Sequence, residues 1–214
     1  MSRRAGRLLG AAALATFAVT ADAAGIEASV RDAAGRPVAD AAVFAVPAAG
    51  AGEARARTVE IAQVDREFVP FVTVVQVGTS VAFPNRDPIL HHVYSFSPAK
   101  PFEIKLYSGR SPYEVQFDKP GVVVLGCNIH DWMSAYVVVV PTPYFGRSDA
   151  AGTVNLRDLP PGAYELHAWH PLQRAALATQ NLSLPSTDTA RATFTFELQP
   201  RKAKFKPPLD RMKY

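Results

Sequence analysis

The hydrophobic and polar positions of this chain follow the pattern of short β-strands. Apolar and polar residues alternate over segments such as Val59–Val64, Phe102–Tyr107 and Tyr164–Trp169. Alternation of this kind is typical of strands that bury one face. Turn-forming residues separate the segments, as in Lys119–Gly121 and Leu159–Gly162. With no clear helical period along the chain, the pattern predicts an all-β protein built as a sandwich or barrel.

The predicted strands form three groups. Two strands precede a linker rich in Ala and Gly, a longer series lies between residues 58 and 141, and a last group begins after Pro141. The predicted strands are Glu27–Arg31, Ala41–Val46, Val59–Val64, Phe71–Val77, Thr79–Phe83, His92–Phe96, Phe102–Tyr107, Tyr113–Phe117, Val122–Leu125, Ala135–Val140, Thr153–Leu156, Tyr164–Trp169, Ala176–Leu184 and Ala192–Leu198. Because two strands alone do not make a stable domain, the first group must pair with another.

The N-terminus has the pattern of a cleaved export signal. Arg3, Arg4 and Arg7 are followed by the uncharged apolar segment Leu8–Thr20 and by the small residues around Asp22. This pattern predicts a signal peptide over residues 1–23, cleaved after about Ala23, and export to the periplasm by either the general secretory or the twin-arginine route. The apolar segment is too short for a transmembrane anchor.

Charge is distributed unevenly along the chain. The whole sequence has a formal net charge of +4, but residues 24–199 carry 14 basic and 17 acidic residues and residues 200–214 carry six basic residues against Asp210. A slightly acidic body does not match a nucleic-acid-binding surface. Residues 200–214 are predicted to be a basic mobile tail, for which contact with an anionic membrane is the less favoured alternative.

The candidate chemistry centres on the single cysteine. Cys127 ends a predicted strand, His130 follows three residues later, Met133 follows three residues after that, and another strand begins almost at once. A lone cysteine in an exported protein makes no internal disulfide and is a liability unless it is buried or ligated. Thiolate, imidazole and thioether together suit copper. Zinc is the alternative for one cysteine and two histidines, although a thioether is a poor zinc ligand.

A second histidine is available about 35 residues upstream. His91 and His92 stand where the irregular loop Asn85–Leu90 ends and a strand begins. Since neighbouring residues of a strand point to opposite faces, only one of the two is expected to bind metal.

Residues 58–141 resemble the cupredoxins, or type 1 blue copper proteins, and are most similar to the amicyanin type. The similarity rests on the short loop from Cys127 to Met133 and on the segment Asn85–Val93, together with Gly78–Phe83 and Lys119–Val123. It implies a Greek-key β-sandwich that binds one copper ion, with His91, Cys127 and His130 in a plane and Met133 as a weak axial ligand. His92 stands where the family usually has an Asn, whose side chain joins the two ligand loops by a hydrogen bond. It is therefore open whether that hydrogen bond forms here and whether His91 or His92 is the ligand.

The resemblance implies a periplasmic carrier of single electrons that is not an enzyme. His130 is expected to be the ligand on the solvent side, with a redox partner (a dehydrogenase or cytochrome) docking near His130 and Trp132. Other apolar residues expected around that surface are Pro88, Ile89, Leu90 and Ile129. The alternative is a copper-binding or copper-delivery module anchored to an envelope assembly. A catalytic copper enzyme would need a second, open metal site, for which five histidines leave little.

The flanking groups of strands resemble a transthyretin-like or carboxypeptidase-regulatory-like β-sandwich. The likeness rests on the turns at Asp32–Ala41, Asp149–Gly152 and Leu159–Tyr164. It implies a discontinuous domain, residues 25–55 plus 142–199, into which a cupredoxin domain of residues 56–141 is inserted. Proteins with this layout are often labelled methylamine utilization proteins. His167 and His170 face opposite sides of a predicted strand and are expected to pack or hydrogen-bond locally rather than bind a second metal.

Overall fold

The computed structural model describes residues 24–50, 57–186 and 188–200. The predicted signal peptide, almost all of the basic tail and the middle of the Ala- and Gly-rich linker lie outside these residues. The prediction of an all-β protein is confirmed, because the described residues form strands and turns without a helix. None of the described segments is therefore a helix long and apolar enough to cross a membrane.

The strands of the described residues follow one another along the whole chain. They are β1 (Gly25–Asp32), β2 (Ala42–Pro47), β3 (Thr58–Glu60), β4 (Ala62–Val64), β5 (Glu67–Val69), β6 (Val72–Gln76), β7 (Thr79–Ala82), β8 (His91–Ser95), β9 (Phe102–Tyr107), β10 (Val115–Phe117), β11 (Gly121–Gly126), β12 (Ser134–Val140), β13 (Phe145–Arg147), β14 (Thr153–Leu156), β15 (Gly162–Trp169), β16 (Ala178–Leu184) and β17 (Thr189–Phe196).

The first two strands pair with strands that follow more than a hundred residues later. β1 lies between β14, to which it is antiparallel, and β17, to which it is parallel. β2 lies between β13 and β15, and β16 completes that sheet. Apolar side chains of the two sheets form one core, which includes Ile26, Val30, Leu166 and Phe194. The chain therefore leaves this outer sandwich after β2 and returns to it at β13.

The central unit is built from the strands in between. One sheet has the order β6-β12-β11-β8-β9, the other β10-β7-β3, and β4 and β5 form a separate hairpin. Alternate residues of these strands meet in a second core that includes Phe83, Phe117 and Leu125. Cys127 and Met133 belong to the same core, so the candidate ligand loop is packed against the end of this sandwich.

A third apolar cluster joins the outer sandwich to the central unit. Ala42 and Phe44 of β2 pack there with Val72 of β6 and with two valines of β12. The Tyr136 ring centroid lies 5.5 Å from that of Trp169, on β15. This contact places the two units side by side through strands of both.

Apart from shifted ends, two features of the strands differ from the prediction. The segment Val59–Val64 is divided at the buried Ile61, and its halves join different partners, β7 and β5. β5 and β13 were not predicted, because each has only three residues and no clear alternation. The predicted domain boundary at residues 55 and 56 lies outside the described residues and stays a prediction.

Candidate metal centre

The loop that carries Cys127, His130 and Met133 is held at both ends by paired strands. Gly126, the last residue of β11, is paired with Ser134, the first residue of β12. Inside the loop, the Met133 N–H donates to the His130 carbonyl oxygen at 2.8 Å. A short connection between paired antiparallel strands leaves little freedom to these three side chains.

His91 is brought to this loop by the neighbouring strand. It is the first residue of β8, which pairs with β11 where Tyr94 meets Gly126. The loop before it is shaped by Asn85, whose side-chain amide donates to the carbonyl oxygens of Ile89 and Tyr107 at 2.8 and 2.9 Å. The Asn85 Oδ1 atom accepts the Asp87 N–H at 3.0 Å. These bonds explain why a loop without regular structure can present His91 in a defined place.

Three of the four predicted ligands converge. His91 Nδ1 lies 3.1 Å from His130 Nδ1, and His130 Nδ1 lies 3.8 Å from Cys127 Sγ. The ligand atoms of the three residues all lie within 4.8 Å of one another, and all three side chains are buried. Met133 is also buried and lines, with Cys127, a cavity of about 440 Å³. The structure thus gathers two imidazoles and a cysteine sulfur, with the thioether in the same core.

Two of the three separations fit a metal ion held between the donor atoms, whereas the 4.8 Å limit on the third exceeds the sum of a nitrogen bond and a sulfur bond, about 4.35 Å. Zinc makes bonds of about 2.05 Å to nitrogen and about 2.3 Å to a thiolate. If the sulfur–metal–nitrogen angle were about 120°, these bonds would place the sulfur and nitrogen atoms about 3.8 Å apart. The observed separation of Sγ from His130 Nδ1 is the same. If one metal ion bound both Nδ1 atoms, the 3.1 Å between them would correspond to a nitrogen–metal–nitrogen angle of about 100°. Two imidazoles, a thiolate and a nearby thioether are the donor set of a copper site.

A carboxylate orients His91. Asp87 Oδ2 lies 2.7 Å from His91 Nε2, and the Asp87 side chain is 8% exposed. Burial by itself would raise the pKa of Asp87, but hydrogen bonds from the Arg66 N–H, His91 and the Asp65 N–H hold it below its ordinary value. An ionised carboxylate only accepts hydrogen bonds, so Nε2 of His91 carries the proton. The Nδ1 lone pair is then left facing His130, where a metal would bind.

His130 is neutral in this environment. Burial above all, and then the nearby His91 and Arg66, lower its pKa from 6.5 to about 4, against the opposite influence of Asp87. A neutral imidazole is the form that binds metals. We expected His130 to be the ligand on the solvent side, but its exposed fraction is 0%, the same as that of His91. The Trp132 ring, whose centroid lies 5.1 Å away, packs beside it.

His92 does not join this group of ligands. Its Nε2 atom lies 2.9 Å from Glu103 Oε1, and its Nδ1 atom is buried without a hydrogen-bond partner. Its ring centroid is 5.6 Å from that of Tyr94. Of the two neighbouring histidines, the structure therefore places His91 among the other candidate ligands and His92 on the opposite side of the strand.

The other two histidines have local partners. His167 Nδ1 is 3.1 Å from Thr179 Oγ1, and its ring stacks on Phe44 with centroids 4.7 Å apart. His170 Nδ1 accepts the Leu172 N–H at 3.2 Å. Each therefore has the structural contacts that were expected of it on the outer sandwich.

Sequence reasoning missed Asp87 and the turn between β4 and β5. Asp87 stands four residues before His91, and this spacing within the loop was the one available signal. The turn residues Asp65 and Arg66 donate their N–H groups to the Asp87 carboxylate at 2.7 and 2.8 Å. Nothing in the sequence marks this contact, because it depends on how the hairpin packs.

Comparison with known proteins gives matches among solved structures alone. No protein-family model and no curated protein matches the chain. A purple cupredoxin from Nitrosopumilus maritimus is 22% identical over 39% of this chain and 98% of its own, with a TM-score of 0.34. A reduced mutant of amicyanin is 18% identical over 47% of this chain and 99% of its own, with a TM-score of 0.36.

A third similar structure is a copper enzyme. The copper-containing nitrite reductase from Thermus scotoductus is 28% identical over 53% of this chain, but the match spans 28% of the reductase, with a TM-score of 0.36. TM-scores this low support no argument about function, which has to come from the residues of the site.

Proposed function

We propose that this protein is a type 1 copper protein that carries single electrons between redox partners, with a ligand loop of the amicyanin type. The observation that supports the proposal is the convergence of the buried side chains of His91, His130 and Cys127, whose ligand atoms lie within 4.8 Å of one another. A thiolate with two imidazoles in a dry site is suited to copper and poorly suited to the hard ions Mg²⁺ and Ca²⁺.

The roles of the residues follow from their surroundings. His91, His130 and Cys127 would hold the ion, with the Met133 thioether as a weaker fourth ligand. Copper would supply the one-electron change between Cu(I) and Cu(II). Asp87 keeps the proton of His91 on Nε2, so the His91 Nδ1 lone pair can bind metal, and burial keeps His130 in the neutral form that binds metals.

The surroundings of the site also limit rearrangement. The ligand loop is anchored by the Gly126–Ser134 pair, and the His91 loop by the Asn85 hydrogen bonds. The three donor residues are buried, so water has little access to the ion. A rigid, dry site is what fast one-electron transfer requires, because little has to move when the charge changes.

The partner surface that we propose lies near Trp132, with His130 directly behind it. Trp132 is half-buried, while Pro88 and Leu90 on the neighbouring loop are exposed. Apolar residues around a redox site suit brief docking of a redox protein such as a dehydrogenase or cytochrome. We place this activity in the periplasm, on the strength of the signal-like N-terminus, and propose a carrier rather than an enzyme.

The experiment is copper loading of the purified protein, followed by absorption spectroscopy. We expect an intense blue thiolate-to-Cu(II) band that disappears on reduction and returns on oxidation. Cys127→Ser should abolish the band and keep the fold, whereas His92→Gln, the matched control, should keep it because His92 faces Glu103. Colourless binding of Cu(I) alone would favour copper delivery instead, and a band that persists in Cys127→Ser would refute the site.

A further inference from the structure

The turn of the β4–β5 hairpin contacts both loops that carry the candidate ligands. The N–H groups of Asp65 and Arg66 donate to the two carboxylate oxygens of Asp87, in the loop before His91. On its other side, the Arg66 carbonyl oxygen accepts the Trp132 Nε1–H at 3.1 Å. Trp132 belongs to the loop between Cys127 and Met133. One short turn is thus hydrogen-bonded to the two halves of the site.

The backbone of this turn is unusual for its residues. Asp65 and Arg66 have φ values of 53° and 58°, in the left-handed region. Two successive residues of this kind form the two-residue hairpin turn that normally favours Asn or Gly. Arg66 has no such preference, so contacts outside the turn must stabilise it. The Asp87 carboxylate provides these contacts by accepting both N–H groups.

His92 does not connect the two ligand loops. Here the His92 side chain is directed to Glu103, and within the described residues no hydrogen bond links it to residues 127–133. The path from Asp87 through the Asp65–Arg66 turn to Trp132 connects the same two loops by another route.

We infer that the Asp65–Arg66 turn is a clasp that holds the two ligand loops together and closes the site over His130. The inference rests on the proposed copper function. Asp87 and Trp132 are then positioning residues: they touch the clasp and act on the metal through His91 and through the Cys127–Met133 loop. Loss of the clasp should loosen the site and speed the release of copper without removing any ligand.

The first test is Trp132→Phe, which removes the N–H donor and keeps an aromatic ring. The blue band should remain, while release of copper to a strong chelator becomes about tenfold faster, as expected for one lost hydrogen bond. Trp169→Phe, the same change at the other tryptophan, and His92→Gln should leave the release rate unchanged. A Trp132→Phe protein that releases copper at the wild-type rate would overturn the clasp.

The second test uses the metal-free protein. Amide hydrogen exchange measured by NMR should show the Asp65 and Arg66 N–H groups protected, although they lie in a surface turn, and Asp87→Ala should abolish that protection. Exchange of both amides at the rate of an unstructured peptide would overturn the inference. If the protein binds no copper, the proposed function fails, and amide protection still decides whether this turn holds the two loops.

Discussion

His130 should make the metal-free protein less stable in mild acid. Its pKa is about 4 in the folded protein, chiefly because of burial, and 6.5 without these surroundings. Between these pH values the unfolded chain binds a proton that the folded protein does not bind. The free energy of unfolding therefore falls as the pH drops below 6.5 and stops falling, for this group, near the folded pKa.

The size of the effect follows from the two pKa values. Each pH unit between them removes about 1.4 kcal/mol, so the full loss is about 3 kcal/mol. Between about pH 7 and about pH 4.5 the expected loss is about 2 kcal/mol. A small domain is stabilised by only about 5–15 kcal/mol, so this loss is easily measured.

The assay is urea unfolding of the metal-free protein, followed by tryptophan fluorescence at these two pH values. His130→Gln removes the titrating group, so its free energy of unfolding should fall by about 2 kcal/mol less than that of the wild type over the same pH range. His167 and His170, whose pKa values are also lowered by burial, are present in both proteins and cancel in the comparison. An equal pH dependence of the two proteins would refute the buried, neutral state of His130.

Two further predictions concern packing. Ser148 is buried, and its Oγ accepts the Ala41 N–H and donates to the Val38 carbonyl oxygen, both at 2.8 Å. Ser148→Ala should therefore lower the free energy of unfolding by about 1–3 kcal/mol. The same change at the exposed Ser183 should not lower it, and equal losses in the two variants would contradict the role of Ser148. A Cβ at Gly126 would lie 2.6 Å from Tyr94 Cζ. Gly126→Ala should therefore lower the free energy of unfolding by about 1 kcal/mol or more, and by less when Tyr94 is also replaced by Ala. A double-mutant cycle by urea unfolding measures that coupling, and strictly additive effects would mean that the ring does not fill this space.

Much of the fold could be read from local pattern. The strand prediction at Phe102–Tyr107 and at Thr153–Leu156 matches β9 and β14 residue for residue. The reason is that a strand buried on one face must alternate, and alternation is visible in a few consecutive residues. Cys127, His130 and Met133 were equally visible, because seven consecutive residues carry all three.

The assignment of His91 needed more than the local pattern. Alternation states that His91 and His92 face opposite sides of the strand, but it does not state which side holds the site. The resemblance pointed to His91, and the pairing of β8 with β11 places His91 Nδ1 near His130. The resemblance also predicted that His130 is the ligand on the solvent side, whereas its side chain is fully buried, with the Trp132 ring beside it.

The sequence by itself determined the all-β class, most of the strands and three neighbouring candidate ligands, because each depends on residues close together in the chain. Only the tertiary structure decided the surroundings of the site. The Arg66–Trp132 hydrogen bond joins residues 66 positions apart, and the turn that makes it has none of the glycine or asparagine that would announce it. Contacts of this kind exist only once the strands have packed, and they decide that His130 is buried and that His91 is oriented by Asp87.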